Sequence, residues 1–205
     1  MSVDFRKAKA AYQQLAQKAR QEYQAITNDS AYTVMLGTAT CGRSAGALEV
    51  LDAFREQMQA SEINGQVLEV GCMGHCYAEP MAVCIRPGFP PMVYHHLNSV
   101  IARNLIKRFF QEGEPLLEYL LGATQPNETY PSLQDLPRYG REKRCLLSRC
   151  GIHDPASLEQ ALALDAYAGF IRALELGPDQ VIQILRQSGL RGLGGAGFLV
   201  WKKWE

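Results

Sequence analysis

Between residues 32 and 111 short apolar runs alternate with helical stripes in one order, and that order constrains the fold more than any single residue does. Residues 32–36 (YTVML) are short and apolar enough for a buried strand. Residues 44–59 place Ala47, Leu51, Phe54 and Met58 on one helical face. Asn64-Gly65 is a turn, residues 67–70 a second strand and residues 81–85 a third. Pro87-Gly88 and Pro90-Pro91 turn the chain into a fourth strand at 92–94. Asn98 then caps a helix to about Gln111, with Ile101, Leu105 and Phe109 facing inward. A β-α-β-β-β-α order with a helix between the first two strands predicts that those strands run parallel. The tight Pro/Gly turn predicts an antiparallel last pair. The fold class expected is α/β: a thioredoxin-like mixed sheet of four strands with helices.

The flanks differ from this segment. Phe5, Ala8, Tyr12, Leu15, Ala19, Tyr23 and Ile26 form one stripe, so residues 1–30 read as an amphipathic helix ended by Asn28-Asp29-Ser30. Residues 31–112 hold the sheet domain. Residues 113–144 carry Pro115, Pro126, Pro131 and Pro137 and read as a linker, with at most one helical turn at 116–121. In 145–205 we expect mainly helix. After a short strand at 144–148, Asp154-Pro155 starts a helix to about Glu175. Gly177-Pro178 restarts another helix to about Gln187, ended by Gly189.

The 205 residues hold 21 Lys+Arg against 21 Asp+Glu, so no basic field exists for nucleic acid. No apolar run approaches the roughly 20 residues of a membrane helix, and the first residues contain no apolar signal core. This reads as a cytoplasmic chain without membrane insertion, whose thiols stay reduced. It has six cysteines, leaving metal binding, redox chemistry or burial as their uses. Cys72 and Cys76 lie in G-C-M-G-H-C-Y, where glycines let the backbone approach an inorganic centre. Cys41 follows the first strand. If the first two strands are parallel neighbours, both loops emerge at one carboxyl edge, where Cys41, Cys72 and Cys76 can converge. Cys84, in an apolar strand, reads as a buried small hydrophobe. His95 and His96 have no placed partners, His153 beside Asp154 reads as a helix-start residue, and the Cys145/Cys150 pair lacks two further ligands for a metal site.

From Gly189 to Gly197 five of nine residues are glycine. Gly192, Gly194 and Gly197 match G-x-G-x-x-G, but a helix rather than a strand precedes them, which excludes the dinucleotide-binding context. What remains is either a flexible tail or a loop whose amides face an anion such as phosphate.

Two segments together resemble one family. G-L-R-G-L-G-G-A-G-F…W-K-K-W-E, with C-G-I-H-D-P before it, resembles the opening of the flavoprotein subunit of complex I. NAD-linked hydrogenase and formate dehydrogenase subunits share this opening. T-C-G-R-S-A-G-A with G-C-M-G-H-C-Y-A-E-P resembles the thioredoxin-like [2Fe-2S] ferredoxin domain fused ahead of that flavoprotein. The resemblance implies hydride transfer from NADH to FMN and electron exit through iron–sulfur centres. It implies neighbouring subunits of a multi-subunit NADH-linked oxidoreductase as partners. It carries FMN contact onto Arg191, Gly192, Gly194, Gly195, Ala196, Gly197 and Lys203, and cluster ligation onto Cys41, Cys72 and Cys76.

The chain departs from that pattern. Leu193 stands at the family's Arg, and Leu199, Val200 and Trp201 stand at its Pro-Thr-Gly. The family's first cluster cysteine falls on Leu36, which cannot ligate iron. An imidazole from His75, an empty vestigial site and zinc are the alternatives the pattern leaves. The chain ends at Glu205, before the rest of a flavin domain, so we expect residues 145–205 to be an incomplete start of one. Leu158, Leu162, Ile171, Val181 and Leu185 are then expected to lack cover. A redox-inactive assembly module is the alternative function.

Overall fold

The computed structural model describes residues 5–28, 31–137 and 139–205; the helix break expected at Asp29-Ser30 lies outside them. The chain divides into two units, one of Ala19–Leu164 and one of Met1–Lys18 with Asp165–Glu205.

The first unit is built on a five-stranded sheet of order β2-β1-β3-β4-β5. β1 (Tyr32–Gly37) and β2 (Gly65–Val70) run parallel, in register from Tyr32↔Gly65 to Gly37↔Val70. β3 (Ala82–Ile85) is antiparallel to β1, and β4 (Met92–Tyr94) is antiparallel to β3. The expected thioredoxin-like arrangement is present. Side chains alternate across it as strand geometry requires. Val34, Leu36, Cys84, Met92 and Tyr94 pack on one face against Val50, Leu51 and Phe54 of α3 (Ala47–Ala60) and Ile101 of α4 (Ser99–Asn104). Met35, Met81, Ile85 and Val93 form the other face's core with Leu133.

Asn98 caps α4 by accepting from the Val100 and Ile101 amides at 3.0 and 2.9 Å. The helix then widens into π-type turns over Leu105–Glu112, which keep Leu105, Ile106, Phe109 and Phe110 buried. The helix expected at 44–59 is α3, which starts three residues later, after Gly46 at φ 95°; a separate short helix, α2 (Thr40–Ser44), precedes it. The helical turn expected at 116–121 is a 3-10 turn at Leu117–Tyr119, followed by β5 (Leu120–Ala123), antiparallel to β4. Gly122, at φ 157°, permits this edge strand: a Cβ there would lie 2.9 Å from the Leu133 amide nitrogen.

Residues 144–148 form a turn rather than a strand. α5 (Leu158–Ala163) starts three residues later than the Asp154-Pro155 signal suggests. Asp154 directs its carboxylate to the Ala156 amide at 2.8 Å, and Ser157 is the cap, accepting from Gln160. The expected long helix is also interrupted, because Asp165 and Tyr167 both take positive φ.

α1 (Phe5–Thr27) is the expected N-terminal helix. Six of the seven stripe residues are at least partly covered; Leu15 is exposed because it lies at the edge of the stripe, and Ala16 is buried in its place. The second unit holds α6 (Ala168–Leu176), α7 (Pro178–Ser188) and α8 (Trp201–Trp204). None of these three helices buries a side chain fully. An apolar cleft of about 360 Å³ lies among Leu174, Pro178, Val181, Ile182 and Trp204. Leu158 is exposed, as expected, whereas Ile171, Val181 and Leu185 are partly covered and Leu162, in the first unit, is buried.

Candidate functional site

The parallel β1–β2 pair sets the site. Gly37 and Val70 end the two strands side by side, and the Thr38 amide donates to the Val70 carbonyl at 3.0 Å. The two loops therefore leave the sheet at one carboxyl edge. α2, carrying Cys41, folds back over the end of β1 because residue 42 is glycine. A Cβ on Gly42 would lie 2.2 Å from the Gly37 carbonyl oxygen. The second loop brings the Cys72 Sγ to 3.8 Å from the Cys76 Sγ, and the Gly74 amide donates to the Cys72 Sγ at 3.2 Å. Cys76 is exposed and Cys72 half-buried. Burial pushes the Cys72 thiol up, the Gly74 amide partly opposes this, and the Cys76 thiol adds to the upward shift.

Cys72 and Cys76 are thus drawn together. Cys41 shares their edge of the sheet on an exposed helical turn. Among the described residues, no three His, Cys, Asp or Glu side chains form a metal-holding group. His75 is built into an aromatic stack. Its ring is buried, stacked on Tyr139 at 5.4 Å and edge-on to Tyr77 at 5.8 Å. Leu36 is fully buried in the core. Tested against a four-ligand [2Fe-2S] cluster, the donors do not close a shell: two thiols converge, a third lies on the neighbouring loop, and an apolar core residue holds the fourth position.

Arg144, which no motif indicates, shapes this edge together with Gly74 and Glu79 of the G-C-M-G-H-C-Y-A-E-P segment. Arg144 donates to the Met73 carbonyl at 2.9 Å, stands 4.5 Å over the Tyr139 ring and pairs with Glu142 at 2.9 Å. It pins the cysteine loop from 71 residues away in sequence. A Cβ on Gly74, at φ 90°, would lie 3.0 Å from its guanidinium. Glu79 is buried, its carboxylate accepting from the Met81 amide at 2.9 Å, and burial raises its pKa. A small cavity of about 70 Å³ beside this loop is lined by Met73, His75, Met81, Tyr139, Arg144 and Cys150.

The remaining candidates fall elsewhere. Cys84 is buried, as expected, and burial raises its thiol's pKa. The His95 and His96 Nδ1 atoms lie 2.7 Å apart. The His153 Nδ1 lies 3.0 Å from the Arg149 carbonyl oxygen.

The glycine-rich segment is a hairpin. Arg191 bridges Leu199, the Gly192 amide donates to the Phe198 carbonyl at 2.8 Å, and the Val200 amide donates to the Leu190 carbonyl at 3.0 Å. Gly195 and Gly197 turn its tip at φ 108° and 60°. Arg191, Gly192, Gly194, Gly195, Ala196 and Gly197 therefore share one hairpin, and Lys203 follows on α8, its Nζ 5.9 Å from the Phe198 ring. Arg191 is engaged within the hairpin, donating to the Gly197 carbonyl at 3.1 Å. The tip is exposed. Its amides suit an anion contact.

The amino-acid sequence matches known proteins over parts of its length. An 84-residue stretch, 40% of this chain, is 30% identical to the NADP-reducing hydrogenase subunit HndB of Solidesulfovibrio fructosivorans and spans 67% of that protein. This chain belongs to the HndB family. The same HndB-family chain is 39% identical over 64 residues to subunit HndC from that organism, covering 31% of this chain and 13% of HndC. Over 44 residues, 20% of this chain, it is 51% identical to an NADH-quinone oxidoreductase subunit of Mycobacterium tuberculosis, covering 10% of that protein. The resemblance to hydrogenase and NADH-dehydrogenase subunits is thus borne out, while the chain spans only a small share of HndC and of the mycobacterial protein. No family model matches. Among solved structures, a thioredoxin-like [2Fe-2S] ferredoxin from Aquifex aeolicus aligns with 47% of this chain and 96% of its own at a TM-score of 0.42 and 18% identity. Among the described residues, no helix is long and apolar enough to cross a membrane.

Proposed function

We propose that this HndB-family chain is a module of a multi-subunit NAD(P)H-linked oxidoreductase, joining subunits along its path of electron transfer. One observation carries this reading: a single chain holds stretches similar to two different subunits, HndB and HndC, of one NADP-reducing hydrogenase. The sheet unit supplies the stable body. The other unit, with apolar helix faces uncovered, supplies surface for a neighbouring subunit. The glycine hairpin with Lys203 is read as a contact for the phosphate of FMN in that assembly. The test is purification of the tagged chain from its own cells. NAD(P)H-dependent dye reduction should co-purify with it; a chain that elutes alone and without that activity overturns the assignment.

A second reading, relay through a [2Fe-2S] cluster, is favoured by the 3.8 Å approach of Cys72 and Cys76 at the edge shared with Cys41. Anaerobic reconstitution with iron and sulfide separates the two. The module reading predicts no stable stoichiometric cluster. Two irons per chain, with visible sulfur-to-iron absorption lost in Cys72→Ser, would establish the relay instead.

A further inference from the structure

The Cys72–Cys76 pair is better arranged for bonding to itself than for completing a metal shell. The sulfurs are 3.8 Å apart, so a shortening of roughly 1.8 Å brings them to disulfide distance. Gly71 precedes Cys72, and a Cβ there would meet nothing within 4 Å, so the loop has room to move on that side, while Arg144 holds the Met73–Gly74 side. Among the described residues, no third metal-ligating side chain joins the pair. Cys76 is exposed and Cys72 is half-covered, which separates an entry thiol from a resolving one.

We propose that Cys72 and Cys76 form a reversible intraloop disulfide, making this edge of the sheet a two-electron thiol–disulfide switch. The oxidant is a small-molecule disulfide such as oxidised glutathione. The Cys76 thiolate attacks one sulfur of the oxidant, forming a mixed disulfide and releasing one small thiol. The Cys72 thiolate, within van der Waals reach of the Cys76 sulfur, then displaces the second. Overall, the two cysteine thiols lose two electrons and two protons, the Cys72–Cys76 bond forms, and the oxidant's disulfide bond becomes two thiols. Gly74 has a role in each state: its amide donates to the Cys72 sulfur in the open pair, and its positive φ bends the loop that must close. The inference does not depend on the subunit assignment.

The intact chain is equilibrated in glutathione buffers from reducing to oxidising, quenched in acid, denatured, and alkylated for mass spectrometry; iron is measured on the same samples. Denaturation frees metal-bound thiols for alkylation but leaves disulfides protected, so a cluster and a disulfide give different results. The expected result is joint loss of alkylation at Cys72 and Cys76, reversed by reductant, with Cys84 alkylated throughout. In Cys72→Ser, Cys76 should hold a glutathione adduct that persists at least about tenfold longer than in the parent chain, because the resolving thiol is gone. Circular dichroism matching the parent shows that the variant is folded; if it is not, Cys72→Ala replaces it. Cys72 and Cys76 both staying alkylated while Cys41, Cys145 and Cys150 take up glutathione would overturn the proposal. So would a link from either residue to Cys41. A chain that forms the disulfide but purifies without NAD(P)H-oxidising activity would sink the subunit assignment and leave this inference standing.

Discussion

The sheet unit and the C-terminal helices make opposite use of similar apolar content. In Ala19–Leu164 the sheet is covered on both faces, and Phe54, Phe109, Leu36 and Tyr94 are fully buried. In Asp165–Glu205 no side chain is fully buried, and Phe170, Leu174, Ile184, Phe198 and Trp204 are exposed. Covering a large apolar side chain contributes roughly 1.5–3 kcal/mol, so the first unit gains this within the chain and the second does not. An amphipathic sequence alone does not make a core; it makes either a core or an interface, and the sheet decides which. The helices that pack on β1–β4 become interior, and the helices after Leu164 keep apolar faces exposed.

Substitutions test that contrast, starting with the largest expected effect. Leu36→Ala should destabilise the chain by about 2–5 kcal/mol, read as a shift in the denaturant midpoint, because it opens a cavity between β1 and α3. A loss below about 1 kcal/mol would show that the core is less closely packed than this account requires.

Glu79 gives a pH-dependent change in the same unit. Its carboxyl pKa is raised by burial, so the native state holds the proton more tightly than the unfolded chain does. The stability this provides is present below the ordinary carboxylate pKa and is lost as pH rises through the raised one. Thermal midpoints at pH 7 and pH 5 should therefore show the parent gaining on Glu79→Gln as pH falls. A gap that stays constant, or widens in the variant's favour at pH 5, would show that burial does not govern this carboxyl.

The smallest stability effect belongs to the other unit. Leu174→Ser and Trp204→Ser, made singly, should change the free chain's midpoint by only about 0.5 kcal/mol, since both side chains are largely exposed. Each should nonetheless lower the recovery of partner subunits. Midpoint losses near those of Leu36→Ala would place these residues in a core of the chain's own.

The sequence carries the fold where its signals are local. β1 to β4 and the Asn98 cap follow from compact apolar runs bounded by Gly, Pro and Asn, each doing what its backbone chemistry dictates. β5 is concealed because four residues with a central glycine have little strand character and owe their place in the sheet to pairing with β4. The break before α6 is concealed because Asp165 and Tyr167, not glycines, adopt positive φ. At the site, the Cys72/Cys76 spacing announces a convergence that the parallel β1–β2 pair makes geometrically sensible. The Arg144 tether does not announce itself, because a guanidinium reaching a carbonyl 71 residues away leaves no periodic or spacing trace. The place of Leu36 can be read from its strand, and the structure gives the reason: an apolar residue there completes the core.

Amide hydrogen exchange, recorded on the free chain and on the chain within its purified assembly, tests the central claim most directly. The account predicts slow exchange across β1 to β4 in both samples. In residues 165–205 it predicts fast exchange in the free chain and strong protection in the assembly. Equal protection of 165–205 in both samples would contradict it, because those helices would then need no neighbouring subunit to cover them.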